Sequence, residues 1–322
     1  FYADTNNNGF LDFDEDFATS NDAGEYRLTG LPAGTHSIRQ FGPLSADITF
    51  PPTGFHEITI AFSDAVNDVN FGNAFHSTIS GTKFHDLNAD GTQTGFELGL
   101  AGEVGGAGWG FVYLDLDFSR SFTAGDIAAD TALDGSYTFG GLAPGLYVVA
   151  EQPHDPNLWM QSAPDPDADL GLHMFVVQSG DAVEDADFGN YQFGSISGTK
   201  VNDLNADGVL SEAGLPGWEI YLDLNDNGVL DDDEPVELTD ANGDYTFEDL
   251  IPGTYTVAEV PQDGWLQTFP PLDEETGFQS QTVFVFSSLD TSGVDFGNVK
   301  PISIEGIKWH DENANGAIDP GE

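Results

Sequence analysis

Apolar and polar residues alternate along this chain in short runs, with a period of two. Glu219-Ile220-Tyr221-Leu222-Asp223, Tyr255-Thr256-Val257-Ala258-Glu259 and Thr282-Val283-Phe284-Val285-Phe286 are such runs, rich in β-branched and aromatic residues. Clusters of Gly, Pro, Asn and Asp separate them, the pattern of short strands joined by tight turns. No long stretch carries helical periodicity. The predicted fold is all-β, an antiparallel β-sandwich with Phe, Tyr, Val, Ile and Leu on two inward faces. Trp109 and Trp218 start one strand and Trp159 and Trp265 precede a Pro-rich crossing, so all four are expected in the core or at seams.

The pattern recurs. Phe71-Gly72-Asn73, Phe188-Gly189-Asn190 and Phe296-Gly297-Asn298 end successive units. New units open with Ile79-Ser80-Gly81-Thr82-Lys83, Ile196-Ser197-Gly198-Thr199-Lys200 and Ile304-Glu305-Gly306-Ile307-Lys308. A middle block starts at Tyr26, Tyr137 and Tyr245 and runs to Gly34, Gly145 and Gly253. The period is roughly 110 residues, the size of a small domain rather than of a solenoid turn. The expected organisation is a first repeat at 1–76 without its opening strand, a second at 77–194, a third at 195–301, and the opening strand and loop of a fourth at 302–322. The junctions Ala74-Phe75-His76-Ser77 and Tyr191-Gln192-Phe193-Gly194 are too short and aromatic for flexible linkers, so a tandem rod is expected. A strand missing at the head and spare at the tail suits either a window cut from a longer array or copies joined by strand addition into a filament.

Charge narrows the partners. Seven Lys+Arg against 56 Asp+Glu give 7 − 56 = −49, which disfavours nucleic acid and anionic membrane surfaces. Metal cations are the natural counter-charge, and a solvated acidic surface accounts for many of the remaining acids. With no cysteine, neither disulfides nor thiolate metal sites staple the fold. No apolar run approaches the ~20 residues of a membrane-spanning helix, and no signal peptide is visible. There is no G-x-S-x-G elbow, H-E-x-x-H helix or P-loop, and the expectation is a protein without enzyme activity. His85 and His310, each preceding a loop aspartate, are expected to face solvent.

Those acids concentrate in a recurring loop, Asp-x-Asn-x-Asp/Asn-Gly, closed by an acid at the twelfth position. Calcium takes six to eight oxygens at about 2.3–2.6 Å, and short side chains at alternate positions of a turning loop supply them. The candidate ligands are Asp4, Asn6, Asn8, Asp12 and Glu15; Asp86, Asn88, Asp90 and Glu97; Asp203, Asn205 and Asp207; Asp223, Asn225, Asn227, Asp231 and Glu234; and Asp311, Asn313, Asn315, Asp319 and Glu322. Two loops depart from the pattern. The one at Asp203 has Gly214 in twelfth place, leaving Glu212 as a substitute. The one at Asp115-Asp117-Ser119 carries Arg120 where glycine should stand, although Asp126 falls at the twelfth position. That loop is expected to bind poorly or stay empty, because a cation beside the ligands opposes the metal. The acidic turns Asp240-Asn242-Asp244 and Asn21-Asp22-Glu25 read equally as extra ligands or as ordinary Asx turns.

Together, the Ser-Gly-Thr-Lys-x-x-Asp-Leu-Asn-Ala-Asp-Gly start, the Asp-x-Asn-x-Asn-Gly-x-x-Asp loop, the Tyr-Thr-Phe to Pro-Gly-x-Tyr block and the Asp-Phe-Gly-Asn end resemble the SdrD B-like repeats of bacterial surface adhesins. These are calcium-binding relatives of the collagen-adhesin B domain. The resemblance implies immunoglobulin-like or prealbumin-like sandwiches, an extracellular location at the cell surface, and a stalk or fibre segment stiffened by Ca2+. The alternative it leaves open is an adhesin module that recognises a glycan or protein ligand. Some collagen-adhesin B domains join a first-strand lysine to a last-strand Asn by an isopeptide bond promoted by a Glu. The matching sets here are Lys83, Glu151 and Asn190, and Lys200, Glu259 and Asn298. Gln40 replaces the Glu of the first repeat, where no such bond is expected. Plain ion pairing with nearby acids would place the lysines equally well.

Overall fold

A computed structural model describes residues 1–42, 45–102, 110–153, 155–274, 277–312, 314–318 and 320. Strands, turns and irregular segments account for all of them. The chain divides into two compact units, Phe1–Tyr191 and Gln192–Glu322.

The first unit contains two sets of sheets. β1 (Tyr2–Asp4), β2 (Gly34–Arg39) and β4 (Phe55–Ile60) form one antiparallel sheet, while β3 (Ala46–Phe50) pairs with β5 (Gly72–Phe75). The second set comprises β6 (Ser77–His85), β7 (Phe111–Leu114), β8 (Ile127–Ala129), β9 (Ser136–Leu142), β10 (Gly145–Gln152), β11 (Met160–Ala163), β12 (His173–Val177), β13 (Ala182–Val183) and β14 (Phe188–Tyr191). One of its sheets runs β12-β10-β7-β8, and the other runs β11-β14-β6-β13 with β9 also on β6.

The second unit repeats that plan. Its strands are β15 (Gly194–Asn202), β16 (Glu219–Asp223), β17 (Val236–Leu238), β18 (Asp244–Leu250), β19 (Gly253–Glu259), β20 (Leu266–Phe269), β21 (Gln281–Val285), β22 (Asp290–Thr291) and β23 (Phe296–Val299). The sheets are β21-β19-β16-β17 and β20-β23-β15-β22, with β18 also on β15.

Each core lies between two sheets. Ile79, Tyr137, Phe139 and Phe188 from one sheet meet Val112, Leu114, Val149 and Val177 from the other. Ile196, Tyr245, Phe247 and Phe296 meet Ile220, Leu222, Val257 and Val285 in the same roles. Burying such side chains contributes about 1.5–3 kcal/mol each and fixes which face of every strand turns inward. Trp218 and Trp159 are buried and Trp265 is partly buried, as the alternation predicts; Trp109 lies outside the described residues.

Two features differ from the sequence reading. Opening and closing strands run parallel, β14 beside β6 and β23 beside β15, so the sheets are mixed. A parallel pair needs a long crossover, and here the whole intervening sandwich supplies it. In the first repeat, Tyr26-Arg27-Leu28 forms no strand, whereas its counterparts β9 and β18 do. β9 pairs with β6 and β18 with β15, whereas Tyr26-Arg27-Leu28 has no such strand beside it among the described residues. Ile304–Lys308, expected as an opening strand, is exposed and forms no strand.

Candidate metal loops and lysine sites

Among the described residues, six acidic loops share two left-handed turns. Position four of each is left-handed, with φ of 55–58° at Asn7, Ala89, Phe118, Ala206, Asp226 and Ala314. Position six is left-handed as well, at Gly9, Gly91, Arg120, Gly208, Gly228 and Gly316. These turns aim backbone N–H groups at the leading aspartate. Its Oδ1 accepts from the fifth residue at 3.0–3.3 Å. Its Oδ2 accepts from the sixth at 2.7–3.0 Å.

Among the described residues, four loops are closed by their twelfth residue. Glu15, Glu97, Asp126 and Glu234 each accept from the second loop residue at 2.7–2.9 Å. They accept again from the ninth residue at 2.6–3.1 Å. In the Asp203 loop, Glu212 is half-buried and accepts from the neighbouring Ser211 N at 3.1 Å, where the closing acids of the other loops accept from the second loop residue. Asn313, Asp319 and Glu322 lie outside the described residues, which leaves Asp311 and Asn315 of the last loop.

Side chains converge at the loop mouths. Asn6 and Asn8 both donate to Asp12 Oδ2 at 2.7 Å, and Asn225 and Asn227 both reach Asp231 Oδ2, at 2.8 and 2.7 Å. Each mouth thus gathers carboxylate and amide side chains, whose oxygens are of the kind a hard cation such as calcium takes. The loop expected to be poor is also well gathered: Asp115, Asp117 and Asp126 offer carboxylate oxygens within 4.8 Å of one another. Ser119 hydrogen bonds hold the Asp117 pKa below its ordinary value. Desolvation opposes the charge of Asp126, but the amides of Leu116 and Thr123 outweigh it and keep that pKa low. The short turns resolve as Asx turns, in which Asp240 Oδ1 accepts from Asn242 and Asp244 and Asn21 Oδ1 accepts from Ala23 and Glu25.

Two partners of the leading aspartates were invisible in the sequence. Ser162 donates to Asp86 Oδ2 at 2.6 Å from 76 residues away. Arg39 Nε donates to Asp4 Oδ2, also at 2.6 Å. His85 does not face solvent as expected. It is half-buried with its ring edge-on to Trp159 at 5.0 Å, and burial lowers its pKa. At the end of β6 the ring gains more from aromatic contact than from water. His310 is exposed.

Both lysine sets come together. Lys83 Nζ contacts Glu151 Oε2 and Asn190 Oδ1, while Asn190 Nδ2 donates to Glu151 Oε1 at 2.7 Å. Lys200 Nζ contacts Asn298 Oδ1 and lies 2.7 Å from Glu259 Oε2, and Asn298 Nδ2 donates to Glu259 Oε1 at 2.6 Å. Both lysines are fully buried. Burial pushes Lys200 down to about 8 and raises Glu259, shifts that favour a neutral amine beside a protonated acid. In the first repeat, Gln40 and Asn73 hydrogen-bond to each other instead. The sites adjoin the loops, since Asp86 N donates to Asn190 O at 2.8 Å and Asp203 N to Asn298 O at 2.9 Å.

No protein-family model matches the chain. It is 26% identical to Colossin-A of Dictyostelium discoideum over 322 residues, covering 91% of this chain and 3% of that protein. It is 23% identical to serine-aspartate repeat-containing protein D of Staphylococcus aureus, covering 100% of this chain and 26% of that protein. Serine-aspartate repeat-containing protein F of Staphylococcus epidermidis is also 23% identical, over 78% of this chain and 14% of that protein. The chain thus spans about a quarter or less of the length of these relatives. Among solved structures, the Bacillus anthracis TIE protein is 17% identical with a TM-score of 0.33, covering 88% of this chain and 45% of that one. GBS52, the minor pilin of Streptococcus agalactiae, is 17% identical with a TM-score of 0.27, covering 72% of this chain and 100% of that one. The resemblance to SdrD B-like repeats runs the length of the chain.

Proposed function

Taking the chain as a run of SdrD B-like repeats, we propose that it is an extracellular stalk or fibre segment of a surface protein, without enzyme activity, whose sandwiches are stapled by calcium. The observation that carries this reading is the pair of left-handed turns shared by six acidic loops, with amides that pre-orient the leading carboxylate in each. Bound calcium would neutralise clustered carboxylates and tie each loop to the strand behind it. Equilibrium dialysis of the 322-residue chain tests it. Several saturable sites filling at about millimolar calcium are expected, as is typical of extracellular modules. No uptake beyond that of an unfolded sample would overturn it.

Covalent locking is the second reading, favoured by the two buried lysine sets. The neutral amine of Lys83 or Lys200 attacks Cγ of Asn190 or Asn298, the N–C bond forms, and Nδ2 leaves as ammonia. Glu151 or Glu259 shuttles the proton from the amine to the leaving group. No oxidant or external reagent is consumed. Intact mass should fall short of the residue sum by one ammonia per bond. Lys200→Arg should restore one ammonia, and a wild-type mass equal to the residue sum would reject the bonds.

A further inference from the structure

Two loops carry the same donors at the same spacing. Asp4, Asn6, Asn8, Asp12 and Glu15 match Asp223, Asn225, Asn227, Asp231 and Glu234, each followed in space by the same amide contacts. One difference between their surroundings is the residue opposite the tyrosine two places before each leading aspartate. β1 pairs with β2 so that Tyr2 faces Arg39 and Asp4 faces Ser37. β16 pairs with β19 in the same register, so that Tyr221 faces Ala258 and Asp223 faces Thr256. Arg39 therefore occupies the place that Ala258 holds in the third repeat and Ala150, opposite Tyr113, holds in the second.

Arg39 is built into the first site. Its Nε lies 2.6 Å from Asp4 Oδ2, whose side chain is fully buried, and its guanidinium covers the Phe55 ring at 4.5 Å. Phe55 is its own cross-strand partner, so the stem and head are held in one place. The leading carboxylate of this loop already has a cation, and a second cation arriving beside it meets like charge across a few ångströms of partly dry protein.

We infer that Arg39 is a resident counter-ion of the first loop, setting its calcium affinity below that of the loop at 223–234, which offers the same five ligand side chains, and holding it closed when calcium is scarce. This rests on the reading that the loops bind calcium. Among these repeats the first would thus keep its loop shape as calcium falls, while the third loses its own.

Hydrogen exchange read peptide by peptide across a calcium titration of the whole chain tests this. In the wild type, protection at 223–234 should reach its midpoint at about tenfold or more lower calcium than the added protection at 4–15, as expected for one like charge at contact range. In EDTA, only 4–15 should keep protection. Arg39→Met, which retains the stem over Phe55, should lower the midpoint at 4–15 toward that at 223–234 and remove its protection in EDTA. Ala258→Arg should raise the midpoint at 223–234. Equal midpoints in the wild type, or midpoints unmoved by both substitutions, would overturn the role of Arg39 while leaving calcium binding intact. Protection lost throughout β1, β2 and β4 of Arg39→Met at every calcium concentration would mark Arg39 as a packing residue and overturn it too. If neither loop responds to calcium, the calcium reading fails and this inference with it.

Discussion

Arg120 stands in a left-handed position, φ 61°, that the other five loops fill with glycine. A side chain there costs roughly 1 kcal/mol. Arg120→Gly should therefore stabilise the second repeat by about 1 kcal/mol in thermal melts and strengthen calcium uptake at Asp115, Asp117 and Asp126. Lys200 gives a pH signature. Its amine loses its proton near pH 8, against an ordinary value of 10.5. The neutral fraction, and with it the rate of ammonia loss, should rise as pH climbs toward 8 and then level off. Time-resolved intact mass after refolding at pH 6, 7, 8 and 9 checks this, and a rate still rising steeply at pH 9 would contradict it. At this scale the loop turns were legible because Asp-x-Asn-x-Asn-Gly is local in sequence. Arg39 and Ser162 were not, since their partners stand 35 and 76 residues away and only the fold joins them.

Elements were legible in kind and face but not in partnership. A period of two says which residues point inward, and the predicted core of Phe, Tyr, Val, Ile and Leu is the one found. It does not say that β14 lies parallel to β6. The glycine of the opening motif has its explanation here. A Cβ on Gly81 or Gly198 would fall 2.2 Å from Ala186 O or 1.9 Å from Val294 O, where the segment before the closing strand crosses the opening one. Gly198→Ala should force β15 and β23 apart and cost about 1–3 kcal/mol in equilibrium denaturation. The buried lysine site should loosen with it, slowing ammonia loss at Lys200. Junctions use one device twice. Phe75 N donates to Ser179 Oγ and Phe75 O accepts from Gly180, while Gln192 N donates to Ser287 Oγ and Gln192 O accepts from Ser288. The turn after β12 or β21 thus grips the residue just ahead of its own repeat, and neither grip was visible in the sequence.

For the molecule as a whole, a formal charge of −49 with no disulfide makes counter-ions part of the stability balance. A cation bound only by the folded state contributes RT ln(1 + [L]/Kd), about 1.4–2.7 kcal/mol per site at ~10 mM calcium for Kd near 10⁻³–10⁻⁴ M. For domains of this size that is a rise of roughly 5 °C or more per filled site. The most direct test is the thermal unfolding of the 322-residue chain in calcium and in EDTA, with magnesium and ionic strength matched. The account predicts melting points several degrees or more higher in calcium, restored when calcium is added back. Superimposable curves in calcium and EDTA would contradict it.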